Sequence, residues 1–253
     1  MESKRCVLIT GASSGIGRAL AEQFSARGNR LILVSRRREA LEALAELLPT
    51  QAEVYPCDLS DRTQVPALCR LIHDKKPDVV VNNAGFGIFG DLAQGDVQRH
   101  LEMIEVNLKA LHLIFQESLA MMERRGGQIL NVASAAGLLP AGPHMSAYYA
   151  TKAYVVSLTE GVACELREKK SAVRVAVLCP GPVRTNFDRV ANVRFALPGM
   201  TAEACAAAAI RGLEKGKTLI VPDKKLAFAL MLSRVLPRSW VIRMASRQQR
   251  RKG

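Results

Sequence analysis

Three glycines stand where an apolar run gives way to an amphipathic one, and this junction limits what the chain can build. Cys6-Val-Leu-Ile-Thr10 reads as a short buried strand, and Arg18 to Ala26 as an amphipathic helix. Between them lies Gly11-Ala-Ser-Ser-Gly15-Ile-Gly17. Glycines at such a turn permit a tight bend and a close approach of backbone to ligand. The following helix offers uncommitted N–H groups and the positive end of its dipole, so the segment suits a pyrophosphate. The alternative is a purely structural turn.

The next apolar run, Asn29 to Ser35, ends in Ser35-Arg36-Arg37-Arg38. A carboxylate at this strand end would bond the ribose 2′-hydroxyl of NAD and repel the 2′-phosphate of NADP. Here no acid appears until Glu39, and an arginine fork binds a phosphate well. The expected cofactor is therefore NADP(H) rather than NAD(H), read by Arg36, with at least one neighbouring arginine simply opening a solvated helix. Glu53 to Asp58 and Asp78 to Asn83 read as further strands. Strands alternating with helical segments predict an α/β fold, a doubly wound parallel sheet of Rossmann type. About seven strands with helices on both faces are expected, in a single domain that binds ligands at the strands' carboxyl ends.

Composition narrows the function classes. A chain of 253 residues needs no disulfide staples, and its six cysteines are scattered without paired spacing, as small core residues of a reducing compartment. None of the four histidines has a second ligand at metal spacing, so no metal site is expected. The N-terminus enters an apolar run at once and leaves no room for a signal peptide, which makes the cytoplasm the expected location. The net charge is +13, yet nine of the basic residues and no acidic one fall after Asp223. The preceding residues hold 27 basic against 23 acidic side chains, close to neutral, which argues against a nucleic-acid groove.

Tyr148 and Lys152 lie four residues apart in a helical stretch and so project from one face. A cation beside a phenol favours the phenolate, and a lowered pKa would suit the hydroxyl to general acid–base work. Tyr149, three residues from Lys152, is the competing phenol. Ser134 ends the strand Gln128 to Ala133, where a hydroxyl can enter a cleft, and Asn107 falls on the apolar face of the run Leu101 to Leu111.

Taken together, Thr10-Gly-Ala-Ser-Ser-Gly-Ile-Gly17, Asp58-Leu59, Asn82-Asn-Ala-Gly85, Asn107, Ser134, Tyr148-x-x-x-Lys152 and Pro180-Gly-Pro-Val-Arg-Thr185 resemble the short-chain dehydrogenase/reductase family, from Val7 to about Val221. The resemblance implies that Gly11, Ser13, Ser14, Gly15, Ile16 and Gly17 cradle the diphosphate and adjoining ribose. Asp58 and Leu59 would border the adenine, and Asn83, Ala84 and Gly85 the adenosine half. Pro180, Gly181, Val183 and Thr185 would line the nicotinamide. Many NADP-preferring members carry a basic residue where this chain has Ser14, which leaves discrimination to Arg36. Four residues form the implied catalytic set. Ser134 would hold the substrate oxygen, Tyr148 exchange its proton, Lys152 lower the Tyr148 pKa and bind the ribose, and Asn107 hold a water linked to Lys152.

The substrate is expected to be a lipophilic carbonyl or alcohol, of lipid, acyl or steroid type. Phe86, His144 and Met145 would line its pocket, with Phe187 from a lid at about 186–199. Residues 1–223 would form the catalytic domain and 224–253 a basic amphipathic extension. That extension is too interrupted by Arg234, Pro237 and Arg238 to cross a bilayer. It would either lie on an anionic membrane or cover the cleft or pack in a homodimer, with Arg247 to Lys252 as a solvated, frayed end, and the protein is expected to form a homodimer or other homo-oligomer. Rival readings are a reductase of carrier-bound 3-oxoacyl thioesters, docked through Arg184, Arg189 and Arg194, and a non-catalytic NADP(H) sensor. The intact catalytic set disfavours the sensor.

Overall fold

Every residue of Cys6–Thr10 (β1) is buried, which is the pattern of a strand covered on both sides. The structure, a computed structural model, describes residues 5–185 and 199–250. From β1 the chain passes through Gly15–Ala26 (α1), Arg30–Ser35 (β2), Arg38–Leu47 (α2), Ala52–Pro56 (β3), Val65–Lys75 (α3) and Val79–Asn82 (β4). Val97–Ile104 (α4) runs through a π-helical turn, Glu105–Ala110, into Leu111–Met122 (α5). Gly127–Val132 (β5), Ser146–Glu168 (α6) and Val173–Leu178 (β6) follow, then the short Val183–Arg184 (β7) and Met200–Thr201 (β8). Ala202–Glu214 (α7), Leu219–Ile220 (β9), Lys224–Ser233 (α8) and Arg238–Arg250 (α9) complete the described chain.

Seven strands form one sheet in the order β3-β2-β1-β4-β5-β6-β9, and every pairing is parallel. The two-residue period of the strands divides the core. Val7, Ile9, Leu33 and Val81 face α1, α2 and α7, whereas Leu8, Ile32 and Val80 face α3, α5 and α6. Helices therefore cover both faces, as expected. Strand order reverses at β1, which lies between β2 and β4, so the crevice opens beyond Thr10 and Asn82.

Boundaries differ from the sequence reading where side chains redirect the backbone. β3 stops at Pro56, two residues before Asp58, because Asp58 Oδ1 accepts from the amide and hydroxyl of Ser60 and starts a turn. The run from Leu101 to Leu111 is broken by the π-helical turn rather than being one regular helix. The last strand of the sheet spans only Leu219–Ile220 at its edge, paired with β6. Phe187 and residues 186–198 of the expected lid lie outside the described residues.

Of the frayed end expected over Arg247 to Lys252, the described part, 247–250, is helical, and Arg251 and Lys252 lie outside the described residues. Helix α9 continues to Arg250, and Gln249 is only 2 % exposed. Its amide Nε2 donates to the Tyr149 hydroxyl at 2.6 Å, and a buried hydrogen bond of this kind holds the last turn in place.

Tight packing joins α6 to the segment after β5. A Cβ on Gly137 would lie 2.4 Å from the backbone oxygen of Lys152, closer than such atoms come. Gly137→Ala is expected to lower unfolding free energy by about 1–3 kcal/mol, read as a fall in urea midpoint without a change in slope. An unchanged midpoint would show that α6 can shift freely.

Candidate active site

The glycine turn folds as the sequence suggests and is pinned from β4. Gly11 and Gly15 take positive φ values of 66° and 55°, which side-chain-bearing residues rarely adopt. A Cβ on Gly17 would meet the Gly11 carbonyl at 2.3 Å and Asn83 Nδ2 at 2.5 Å. Asn83 Nδ2 donates to the carbonyls of Thr10 and Gly11 at 2.9 and 3.2 Å. Thr10 Oγ1 in turn accepts from the backbone amides of Asn83 and Ala84 and donates to the Val81 carbonyl. Ser14 caps α1 in an extended conformation without a side-chain bond to the helix, and no acid occupies the first turn. The first N–H groups of α1 are thus not taken by a side-chain cap, and the dipole is not countered there. These features fit a dinucleotide diphosphate.

The arginines after β2 divide by their surroundings. Arg36 is exposed just past the strand. Arg37 Nη2 reaches Ser13 Oγ at 3.5 Å, which brings a second cation to the glycine turn. Arg38 instead pairs with Glu42 one helical turn on and is the solvated arginine of the three. Asp58 and Leu59 lie at the β3 end of the crevice, with Leu59 buried and Asp58 holding its own turn.

Across the crevice, the segment after β6 closes the other wall. Pro180 accepts from the Ala135 amide at 2.8 Å, and Val183 is buried. A Cβ on Gly15 would touch Thr185 at 3.1 Å, so the glycine turn and this segment face each other closely. Leu226 of α8 lies over Gly181, 2.7 Å from where a Cβ would stand.

Between the walls, α6 brings Tyr148 and Lys152 together, both buried. Lys152 Nζ is 5.9 Å from the Tyr148 ring centre and donates to the Val132 carbonyl at 2.9 Å. Ser134 hydrogen-bonds the Tyr148 phenol and also accepts from the Ala136 amide, so its hydroxyl is oriented by the turn it caps. Burial pushes the Tyr148 phenol up to about 12, and the Ser134 bond opposes that rise only in part. Lys152 is pushed down to about 8 by the same loss of water. This corrects the expectation of a phenol made acidic by its neighbour. In the chain alone, loss of water moves the phenol in the direction opposite to the one expected.

Asn107 is placed by the π-helical turn and is fully buried. Its amide exchanges two bonds with the backbone of Phe86, at 3.0 and 2.8 Å, and donates to Thr151 Oγ1 at 3.2 Å. A Cβ on Gly85 would stand 2.9 Å from Asn107 Oδ1 and 3.3 Å from Lys152 Nζ, so only a glycine lets these two groups share one space. Tyr149 is directed away, toward Gln249, and meets Tyr148 edge-on at 6.4 Å between ring centres. Met145 packs with Tyr148 and Tyr149, and Phe86, Ile88 and Phe89 join this apolar cluster. His144 sits beside Phe89 at 5.9 Å between ring centres.

The sequence reading did not single out Thr10, Thr151 or Gln249 as parts of the site. Thr151 was legible in principle, since it lies between Tyr148 and Lys152, and its hydroxyl bonds the Tyr148 carbonyl. Gln249 lies a hundred residues from its partner, and no local signal announces such a contact.

A dinucleotide crevice beside a Ser–Tyr–Lys cluster defines a class of hydride-transferring oxidoreductases. The sequence pattern of the short chain dehydrogenase family matches residues 5–194. A 3beta-hydroxysteroid dehydrogenase of Mediterraneibacter gnavus is 34% identical over 188 residues, covering 72% of this chain and 67% of that protein. A short-chain dehydrogenase of Sphingobium yanoikuyae in complex with NADPH superposes with a TM-score of 0.82 at 32% identity, over 91% of this chain and 93% of that one. A Burkholderia phymatum short chain dehydrogenase/reductase in complex with NAD gives 0.81 at 26% identity, over 90% and 92%. The chain belongs to the short-chain dehydrogenase/reductase family, and it is an NAD(P)-dependent oxidoreductase acting on CH–OH groups.

Gly17→Ala should force the bend apart at the Gly11 carbonyl. The expected result is at least about a tenfold rise in the NAD(P)H dissociation constant, some 1.4 kcal/mol, with the far-ultraviolet dichroism unchanged. Wild-type affinity in a fluorescence titration would show that the close approach is not needed.

Proposed function

We propose that the chain is an NADP(H)-dependent carbonyl reductase for a bulky lipophilic ketone, with the corresponding secondary alcohol as product. The observation that carries this reading is the buried pair Tyr148 and Lys152 beside Gly85, with the half-buried Ser134 bonded to the phenol. The bound nicotinamide supplies the hydride. Ser134, already hydrogen-bonded to the phenol, orients the substrate oxygen, and Tyr148 delivers the proton to it. Lys152, anchored by the Val132 carbonyl, holds positive charge beside the phenol as its proton leaves. Asn107 acts by position, fixing the loop through Phe86 and α6 through Thr151.

A phenol raised to about 12 keeps its proton at neutral pH, which favours its use as an acid. Reduction therefore needs the form already present, whereas alcohol oxidation needs the rare phenolate. Oxidation rate should climb about tenfold per pH unit from about pH 6 to about pH 8 and level off above that, as Lys152 loses its charge, while reduction stays level or falls. Tyr148→Phe should reduce kcat at least about a hundredfold in both directions and leave NADPH binding within about twofold. A level oxidation profile, or a phenylalanine variant that retains a tenth of the rate, would remove Tyr148 from proton transfer.

NADP(H) is favoured by Arg36 and Arg37 beside the glycine turn, with no carboxylate between Ser35 and Arg38. The relative in complex with NADPH supports the same choice. Arg36→Ala is expected to raise KM for NADPH at least about tenfold and leave that for NADH nearly unchanged. Equal effects on the two cofactors would transfer the role away from Arg36. The apolar cluster of Phe86, Ile88, Phe89, Met145 and Tyr149 supports a lipophilic substrate, in keeping with the steroid dehydrogenase relative. Residues 224–250 extend the catalytic domain, and their inner face roofs the cleft. Leu226 covers Gly181, Arg238 bonds the Pro140 carbonyl, and Gln249 holds Tyr149.

A further inference from the structure

Helices α8 and α9 each have two unlike faces. In α8, Leu226 and Leu230 turn inward, and in α9 Val241, Ala245 and Gln249 do, all three buried. The pair is therefore docked on the body by a used face. The opposite faces remain apolar. In α8 and the turn after it, Phe228, Met231, Leu232 and Val235 follow the spacing of one helix face. In α9, Trp240 and Met244 do the same. All six are exposed, Phe228 by 64%, Trp240 by 57% and Met244 by 62%. They make up six of the ten large apolar side chains exposed among the described residues, and the other four are spread from Leu47 to Leu101. Scattered apolar residues need no partner, but a concentration within seventeen consecutive positions does.

Charge selects the partner. Lys224 and Lys225 share the Phe228 face of α8, and Arg243 and Arg247 share the Trp240 face of α9. No acidic residue occurs from Lys224 onward, against nine basic ones. Two copies of this surface brought face to face would set cation against cation. An anionic lipid surface offers what both features require, negative headgroups for the arginines and lysines and an acyl boundary for the tryptophan, phenylalanine and methionines. No helix among the described residues is long and apolar enough to cross a membrane, so the contact is one of lying upon it.

We propose that the outer face of α8 and α9 docks the protein on an anionic bilayer. The inner face roofs the cleft, so docking sets the substrate entrance at the level where an apolar substrate dissolves. That last link rests on the function proposed above; the docking itself does not.

Trp240 is the chain's one tryptophan, so its emission reports the contact directly. The full-length protein is sedimented with phosphatidylcholine vesicles, with and without about one-third phosphatidylserine, and its fluorescence is recorded. Pelleting with the anionic vesicles and a blue shift of Trp240 are expected, with much weaker binding to the neutral ones. Met231→Asp with Met244→Asp should cut partitioning at least about tenfold while turnover of a soluble ketone stays unchanged, since both side chains already face water. Arg243→Glu with Arg247→Glu should abolish the preference for phosphatidylserine. Equal recovery in the supernatant with both vesicles would overturn the proposal, as would vesicle binding unaltered by the aspartates. Concentration-dependent dimers that ignore vesicles and dissociate in the aspartate variant would assign the face to a second copy instead. Vesicle binding is read without turnover, so a failed assay of carbonyl reduction leaves this result standing.

Discussion

An ammonium held out of water governs the arrangement of this site. Lys152 lies inside α6 with almost no exposure, and an isolated buried charge is among the least favourable things a fold can contain. The Val132 carbonyl at the end of β5 accepts one of its protons, and the absence of a side chain at Gly85 leaves space around the rest. Burial lowers its affinity for a proton, and the same burial strengthens the hold of Tyr148 on its own. The two shifts have one cause and opposite sense, as desolvation acts on a cation and on a neutral acid. Burial of this kind favours the protonated form of the phenol.

That arrangement is held by close backbone contacts more than by strong bonds. Gly17 lies against the Gly11 carbonyl, Gly11 against Ala84, Gly15 against Thr185, and Gly85 against Asn107 and Lys152. Each contact leaves little or no room for a Cβ, and together they run from the glycine turn to Lys152. Parallel strands make this possible, because β1, β4, β5 and β6 all end at one edge of the sheet. Asn83 and Asn107 then act as clasps, tying the loop after β4 to the turn on one side and to the helices on the other.

Much of this was legible in the residues because it is local. The buried strands, the glycine bend and the same-face pair on α6 follow from spacing alone, and the parallel sheet follows from their alternation. Boundaries drifted where a side chain competed with regular structure, as Asp58 does in ending β3 and as the π-helical turn does around Asn107. The direction of the Tyr148 shift was not legible, since spacing reports proximity and says nothing of how much water two groups lose. Nor was the bond from Gln249 to Tyr149, which depends on where α9 comes to rest across the body. The three arginines show the same limit. The sequence places all of them after β2, but only folding assigns Arg38 to Glu42 and brings Arg37 to Ser13.

The last two helices apply the sheet's logic at the surface. A strand of this protein is apolar on both faces because helices cover both, and α8 and α9 are apolar on both faces while only the inner one meets the body. In water the outer face gains nothing from its leucine, methionines and tryptophan, and packing onto the body does not require them, since Leu226, Leu230, Val241 and Ala245 already serve that contact. The bilayer contact proposed above would give that face a second covering, with anionic headgroups for the cations on the same faces and an acyl boundary for the apolar side chains.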